Sequence, residues 1–150
     1  VVLGPFGLLF GVVAAEAGLG LVEVLGFSTL VLAGASQFTA VQLLTDNAPV
    51  LVIIITAIAV NLRMAMYSAS MVPWLGPASP RQKRLIAYLL IDQTYALSLQ
   101  HYEKHPRLSI SQRVAYFLGA SVSCCLPWVA ASAAGYLLGR AHPPPRARGD

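Results

Sequence analysis

The chain has 150 residues, of which 57% are apolar and only 11% charged. A soluble domain carries roughly 25% charged residues, and a chain this short exposes too much of its surface to do without them. The mean hydropathy of +0.67 agrees. This composition describes an integral membrane protein and excludes a secreted disulfide scaffold, a disordered tail or an ordinary soluble enzyme. The net charge of +4 does not point to nucleic acid. The basic residues fall in short gaps between apolar runs, where the positive-inside bias puts them, and not in a stripe interleaved with aromatics.

A transmembrane helix needs about 20 residues at 1.5 Å each to cross roughly 30 Å of hydrocarbon. On that scale the uncharged runs predict an all-α, polytopic transmembrane helical bundle of about five spans with one discontinuous helix. Residues 1–15 form the first run. Residues 19–44 form the second, interrupted by Gly34-Ala35-Ser36-Gln37. Residues 49–74 carry Arg63 near their middle, residues 85–100 carry Asp92, and residues 114–138 carry Pro127, which is expected to kink the last span. Strands of a membrane barrel alternate polar and apolar positions, and residues 50–60 do not.

The connections suggest an orientation. Residues 73–84 hold three prolines, a glycine and three basic residues, the composition of a cytoplasmic turn. The 46–49 turn has no basic residue and reads as external. The 101–113 loop is then expected outside as well, although it contains Lys104, Arg107 and Arg113. Residues 1–139 make a transmembrane domain, and the Pro-rich basic segment 140–150 is expected to be a disordered cytoplasmic tail. The chain opens on Val1 without a basic leader or cleavage site, and the natural N-terminus is expected to lie upstream.

Adjacent Cys124 and Cys125 sit in an apolar run and read as two small buried hydrophobes, since tetrahedral metals need ligands that converge from spaced positions. His101, Glu103 and His105 form H-x-E-x-H in a polar loop followed by Pro106. HExxH is absent and no further ligand is evident, so neither a metal site nor a cofactor is expected.

Polar residues at membrane depth carry the chemistry. Glycines and alanines at four-residue spacing (Gly7 and Gly11; Ala131, Gly135 and Gly139) predict close helix packing. Gly34, Ser36 and Gln37 interrupt their run far from either end; a helix broken there would free backbone groups, tolerated at that depth only against protein or a cavity, and transporters use such breaks to hold substrate. Asn61 and Arg63 follow, with Tyr67 one turn further on. A guanidinium at that depth is costly, and its natural answer is Asp92, beside Gln93. In an antiparallel hairpin, residues equally far from the turn lie at one level. Positions 63 and 92 average to 77.5, inside the Pro-rich turn, so Arg63 and Asp92 are expected to pair. Such a pair can be structural, or it can open to receive the carboxylate and ammonium of a zwitterion.

The segments PFGLLFGVVAAEAG (5–18), AGASQFTAVQLL (33–44), NLRMAMYSAS (61–70) and YLLIDQTYAL (88–97) resemble the AzlC-type branched-chain amino-acid permeases, in the family's order and spacing. The resemblance implies an inner-membrane secondary transporter that exports branched-chain or similar small hydrophobic amino acids. It also implies a partner, the small AzlD-type membrane subunit. The chain begins inside the family's first helix and ends before its last ones, and Met64 stands where the family has histidine. The substrate-binding set expected is Gly34, Ser36, Gln37, Asn61, Arg63, Tyr67, Asp92 and Gln93. No ATP-binding G-x4-G-K-[ST] signature is present, which leaves an ion or substrate gradient as the energy source. A passive pore is the competing function, but channel filters use rings of carbonyls or like charges, and Asp92 at the level of Arg63 would blunt such a ring.

Overall fold

A computed structural model describes residues 3–30 and 34–141. They form eight helices: α1 (Leu3–Glu16), α2 (Leu21–Leu30), α3 (Gly34–Thr45), α4 (Val50–Asn61), α5 (Arg63–Leu75), α6 (Pro80–Leu89), α7 (Asp92–Lys104) and α8 (Ile110–Ala141). No strand occurs among the described residues, and the chain is an all-α helical membrane bundle. Two stretches are long and apolar enough to cross a bilayer, Val50–Leu75, which joins α4 to α5, and Ile110–Ala141. Helix α4 has no buried residue at all, and Leu51, Ile54, Ile55 and Ile58 stand bare along it. Water would not tolerate that surface; lipid does.

The chain divides into two compact units, residues 1–60 with 126–150 and residues 61–125. In the first, α1 packs against α2 and α3 and also against the second half of α8. Here the small-residue spacing does what lipid-embedded helices require. A Cβ on Gly11 would collide with the Ser132 carbonyl, one on Gly135 with the Leu8 carbonyl, and one on Gly139 would come 3.0 Å from the Ala15 Cβ. The paired positions rise together, so α1 and this half of α8 run parallel. Phe10, Val24, Val41, Trp128 and Tyr136 fill the space that remains.

Gly34-Ala35-Ser36-Gln37, expected to break a helix, form the first turn of α3. The Gln37 amide Nε2 donates to the Phe27 carbonyl at 2.7 Å. Ten residues of straight helix would hold those positions about 15 Å apart, so α3 doubles back on α2. Phe27 belongs to the last turn of α2, whose carbonyls have no partner within the helix, and Gln37 supplies one.

In the second unit, the run 85–100, expected as one crossing, is two helices. Leu90 and Ile91 are extended and the chain reverses there. Helix α6 returns along α5, and residues of both helices, from Ser68 to Gly76 and from Lys83 to Leu90, line one groove. Helix α7 then runs parallel to α5: Tyr95 stacks on Tyr67 at 4.2 Å and Tyr102 meets Trp74 at 5.9 Å. Thr94, fully buried, closes the reversal. Its hydroxyl donates to the Leu89 carbonyl at 2.8 Å and accepts from the Ile91 N–H at 2.9 Å.

This reversal corrects the expected place of the 101–113 loop. Arg113 donates to the carbonyls of Trp74 (3.2 Å) and Pro106 (2.8 Å) and lies 5.2 Å from the centre of the Trp74 ring. The loop therefore sits at the same end of α5 as the 73–84 turn, and Lys104, Arg107 and Arg113 join Arg81, Lys83 and Arg84 there. Helix α8 runs without interruption through Pro127 and ends at Ala141, with Arg140 lying over the Tyr136 ring. Residues 142–150 of the expected tail lie outside the described residues. Because Gly139 packs beside Ala15, α8 ends at the Glu16 end of α1.

Both doubled helices recur at one interval. Leu21, Leu30 and Thr45 stand 59 residues before Pro80, Leu89 and Lys104. In each case two short helices precede a long apolar stretch, an order that the apolar runs alone do not reveal.

Candidate functional site

The second hairpin brings the two opposed charges together. Arg63 is the first residue of α5, just after the turn at Leu62, and Asp92 is the first residue of α7, just after the extended pair Leu90-Ile91. An Arg63 terminal nitrogen (Nη2) lies 3.0 Å from Asp92 Oδ2. The carboxylate is favoured by the N-terminus of α7, where unpaired N–H groups concentrate positive potential.

The pair is incompletely satisfied. Arg63 Nε and Asp92 Oδ1 are both shielded from solvent and have no hydrogen-bond partner among the described residues. Each group thus spends one polar atom on the other and keeps one unused, which is the arrangement a ligand bearing both an acceptor and a donor would complete. The Tyr67 hydroxyl interacts with Asp92, and its ring is stacked on Tyr95, whose own hydroxyl bonds Ser70 at 3.0 Å. This stack holds α5 and α7 in register beside the ion pair. Asn61, last residue of α4, is half-buried two residues before Arg63, and Gln93 is exposed on α7. The sequence therefore foresaw the meeting of Arg63, Tyr67 and Asp92. It missed Tyr95 and Thr94, which fix that meeting, because their role depends on the reversal at Leu90-Ile91.

Gly34, Ser36 and Gln37 belong to the first unit. Ser36 and Gln37 are fully buried. Ser36 donates to the Ala57 carbonyl at 3.5 Å, while Gln37 Oε1 has no hydrogen-bond partner. Gly34 faces the Trp128 ring, where a Cβ would come within 3.0 Å of the ring edge; glycine is needed for that approach and not for a positive φ. Among the described residues no group of three His, Cys, Asp or Glu side chains converges on a metal position. His101 instead stacks on Tyr116 at 3.7 Å, and the two cysteines are free.

The protein family described as AzlC protein matches residues 1–141. The chain belongs to the AzlC family. It is 30% identical over 135 residues to an uncharacterized membrane protein of Archaeoglobus fulgidus, covering 90% of this chain and 55% of that one. An uncharacterized membrane protein of Helicobacter pylori is also 30% identical, over 133 residues, with 89% and 56% covered. One from a second Helicobacter pylori strain is 34% identical over 91 residues, with 61% and 40% covered. This AzlC-family chain spans about half the length of the relatives it matches. No solved structure matches it. All three relatives are membrane proteins by name.

Proposed function

We propose that this AzlC-family chain serves a secondary transporter that exports branched-chain or similar small apolar amino acids across the cytoplasmic membrane, together with a small AzlD-type membrane subunit. The observation that carries the reading is the Arg63–Asp92 pair at the hairpin tip, with Arg63 Nε and Asp92 Oδ1 left unpaired. An amino acid presents a carboxylate to the guanidinium and an ammonium to the carboxylate, so substrate would replace an ion pair with two of its own. Tyr67 supports the Asp92 side, and Asn61 and Gln93 flank the pair. Gly34, Ser36 and Gln37 are proposed to contact substrate within their own unit, through the unused Gln37 carbonyl oxygen.

The reading also assigns sides. Six basic residues gather at the end of α5 that holds the 73–84 turn. The positive-inside bias makes that end cytoplasmic.

Counterflow in proteoliposomes tests the function, using labelled leucine, valine and histidine with and without the small subunit. Saturable exchange of leucine and valine is the expected result. Flux that rises linearly with concentration and ignores internal substrate would overturn the carrier reading in favour of a pore.

A further inference from the structure

Within the second unit, α5 and α6 leave an open groove of about 380 Å³ between them. Met71, Leu75, Ile86 and Leu90 form its apolar floor, all of them buried, and Lys83 stands at its rim near the Gly76 turn. Helix α6 is built for an interface. Ser79 and Gln82 close a capping box around Pro80 at its start, Arg81, Lys83 and Arg84 crowd its first half, and Leu85 and Tyr88 are exposed further along. Short basic amphipathic helices of this kind lie at the boundary between headgroups and acyl chains.

Charge narrows the occupant. No acidic residue occurs between Asn47 and Ile91, and Lys83 has no ion pair among the described residues. A zwitterionic amino acid would find nothing in the groove to take its ammonium, since Ser68 and Lys83 are its only polar side chains. An anionic lipid fits both parts, with a long apolar chain for the floor and a phosphate for the rim. We propose that the α5–α6 groove is a binding site for one anionic phospholipid, its acyl chain along Met71, Leu75, Ile86 and Leu90 and its phosphate at Lys83. The site is independent of the transport reading, since it uses none of Arg63, Tyr67 or Asp92.

Trp74 adjoins the groove residues Val72 and Leu75 in sequence, its ring lying against Tyr102 and Arg113, and Trp128 is the other tryptophan. The full chain carrying Trp128→Phe can be reconstituted into vesicles that mix phosphatidylcholine with dibrominated phosphatidylglycerol, or the reverse, and the quenching of Trp74 measured. One basic residue beside an anionic headgroup is worth about a five-fold preference. Phosphatidylglycerol should therefore displace phosphatidylcholine about five-fold more readily at Trp74. Lys83→Gln should bring that ratio close to one, and Ala87→Phe, which fills the groove wall, should lower it too. Equal quenching by both lipids, or a ratio unchanged by Lys83→Gln, overturns the proposal. So does a Trp74 that neither lipid quenches, if native mass spectrometry of the unaltered chain also retains no phosphatidylglycerol. Should Trp128→Phe not fold, native mass spectrometry of the unaltered chain decides: one phosphatidylglycerol should be retained and lost on Lys83→Gln, and retention of none or of an unchanged number refutes the site.

Discussion

Replacing Arg63 and Asp92 by alanine, singly and together, measures what the ion pair contributes. Breaking a fully buried pair from one side typically costs about 3–5 kcal/mol, because the surviving charge is left alone, whereas exposed pairs contribute about 0.2–1 kcal/mol. The two side chains retain 30% and 37% of their exposure, so the pair stands between these limits and the discounted coupling is about 1–3 kcal/mol. Arg63→Ala and Asp92→Ala should each lower the thermal stability of the detergent-solubilised protein. The double variant should be more stable than the sum of the single losses predicts, by that coupling. If the pair also receives the zwitterion, the double variant folds and does not exchange leucine. Strictly additive losses would refute the idea that these residues act as a unit, and a double variant that transports normally would reduce the pair to a structural clip.

The remaining predictions concern the elements that hold the site. Thr94→Val removes both hydrogen bonds that close the Leu90-Ile91 reversal, at about 1 kcal/mol each; unfolding should shift accordingly and Thr94→Ser should restore it. Gly135→Ala forces a methyl into the Leu8 carbonyl, and overpacking of this kind costs about 1–3 kcal/mol, whereas Gly119→Ala, with nothing within 4 Å, should be neutral in the same melt. Gly34→Leu must displace the Trp128 ring, so the variant should lose transport along with a change in tryptophan fluorescence; unimpaired transport would remove residues 34–37 from the substrate path.

The sequence made the helices legible because uncharged runs of this length have few other uses, and it made the Arg63–Asp92 pair legible because two isolated opposite charges stood equally far from one turn. That arithmetic survives for a different reason from the one that motivated it. It assumed a full antiparallel crossing by residues 85–100, whereas α6 alone is antiparallel to α5 and Asp92 follows directly after the reversal. The reversal itself was hidden. Leu90 and Ile91 carry neither glycine nor proline, and an apolar run reads the same whether it continues or folds back. Its closing residue, Thr94, is an unremarkable hydroxyl in a helix until its partners Leu89 and Ile91 are seen. The first hairpin was only half visible: Gly34 through Gln37 marked a discontinuity, but these residues begin a helix, and the glycine answers to Trp128.

One sequence signal did contain the reversal, and it was read as a defect. Lys104, Arg107 and Arg113 violate the positive-inside bias if residues 85–100 cross, and obey it if they turn back. Cysteine labelling separates the two arrangements without any assay of transport. Single cysteines at Ser79, Arg107 and Asn47, in a background lacking Cys124 and Cys125, can be exposed to an impermeant thiol reagent in intact cells and in inverted vesicles. A crossing places positions 79 and 107 on opposite sides. The reversal places them on one side, because Arg113 reaches from the 107 loop to the Trp74 carbonyl, and places position 47 on the other, at the far end of the Val50–Leu75 helix. Labelling of Ser79→Cys and Arg107→Cys only in inverted vesicles, with Asn47→Cys labelled in intact cells, is the expected outcome. Arg107→Cys labelled together with Asn47→Cys would mean that the hairpin crosses, and Asp92 would then approach Arg63 from a helix running the other way.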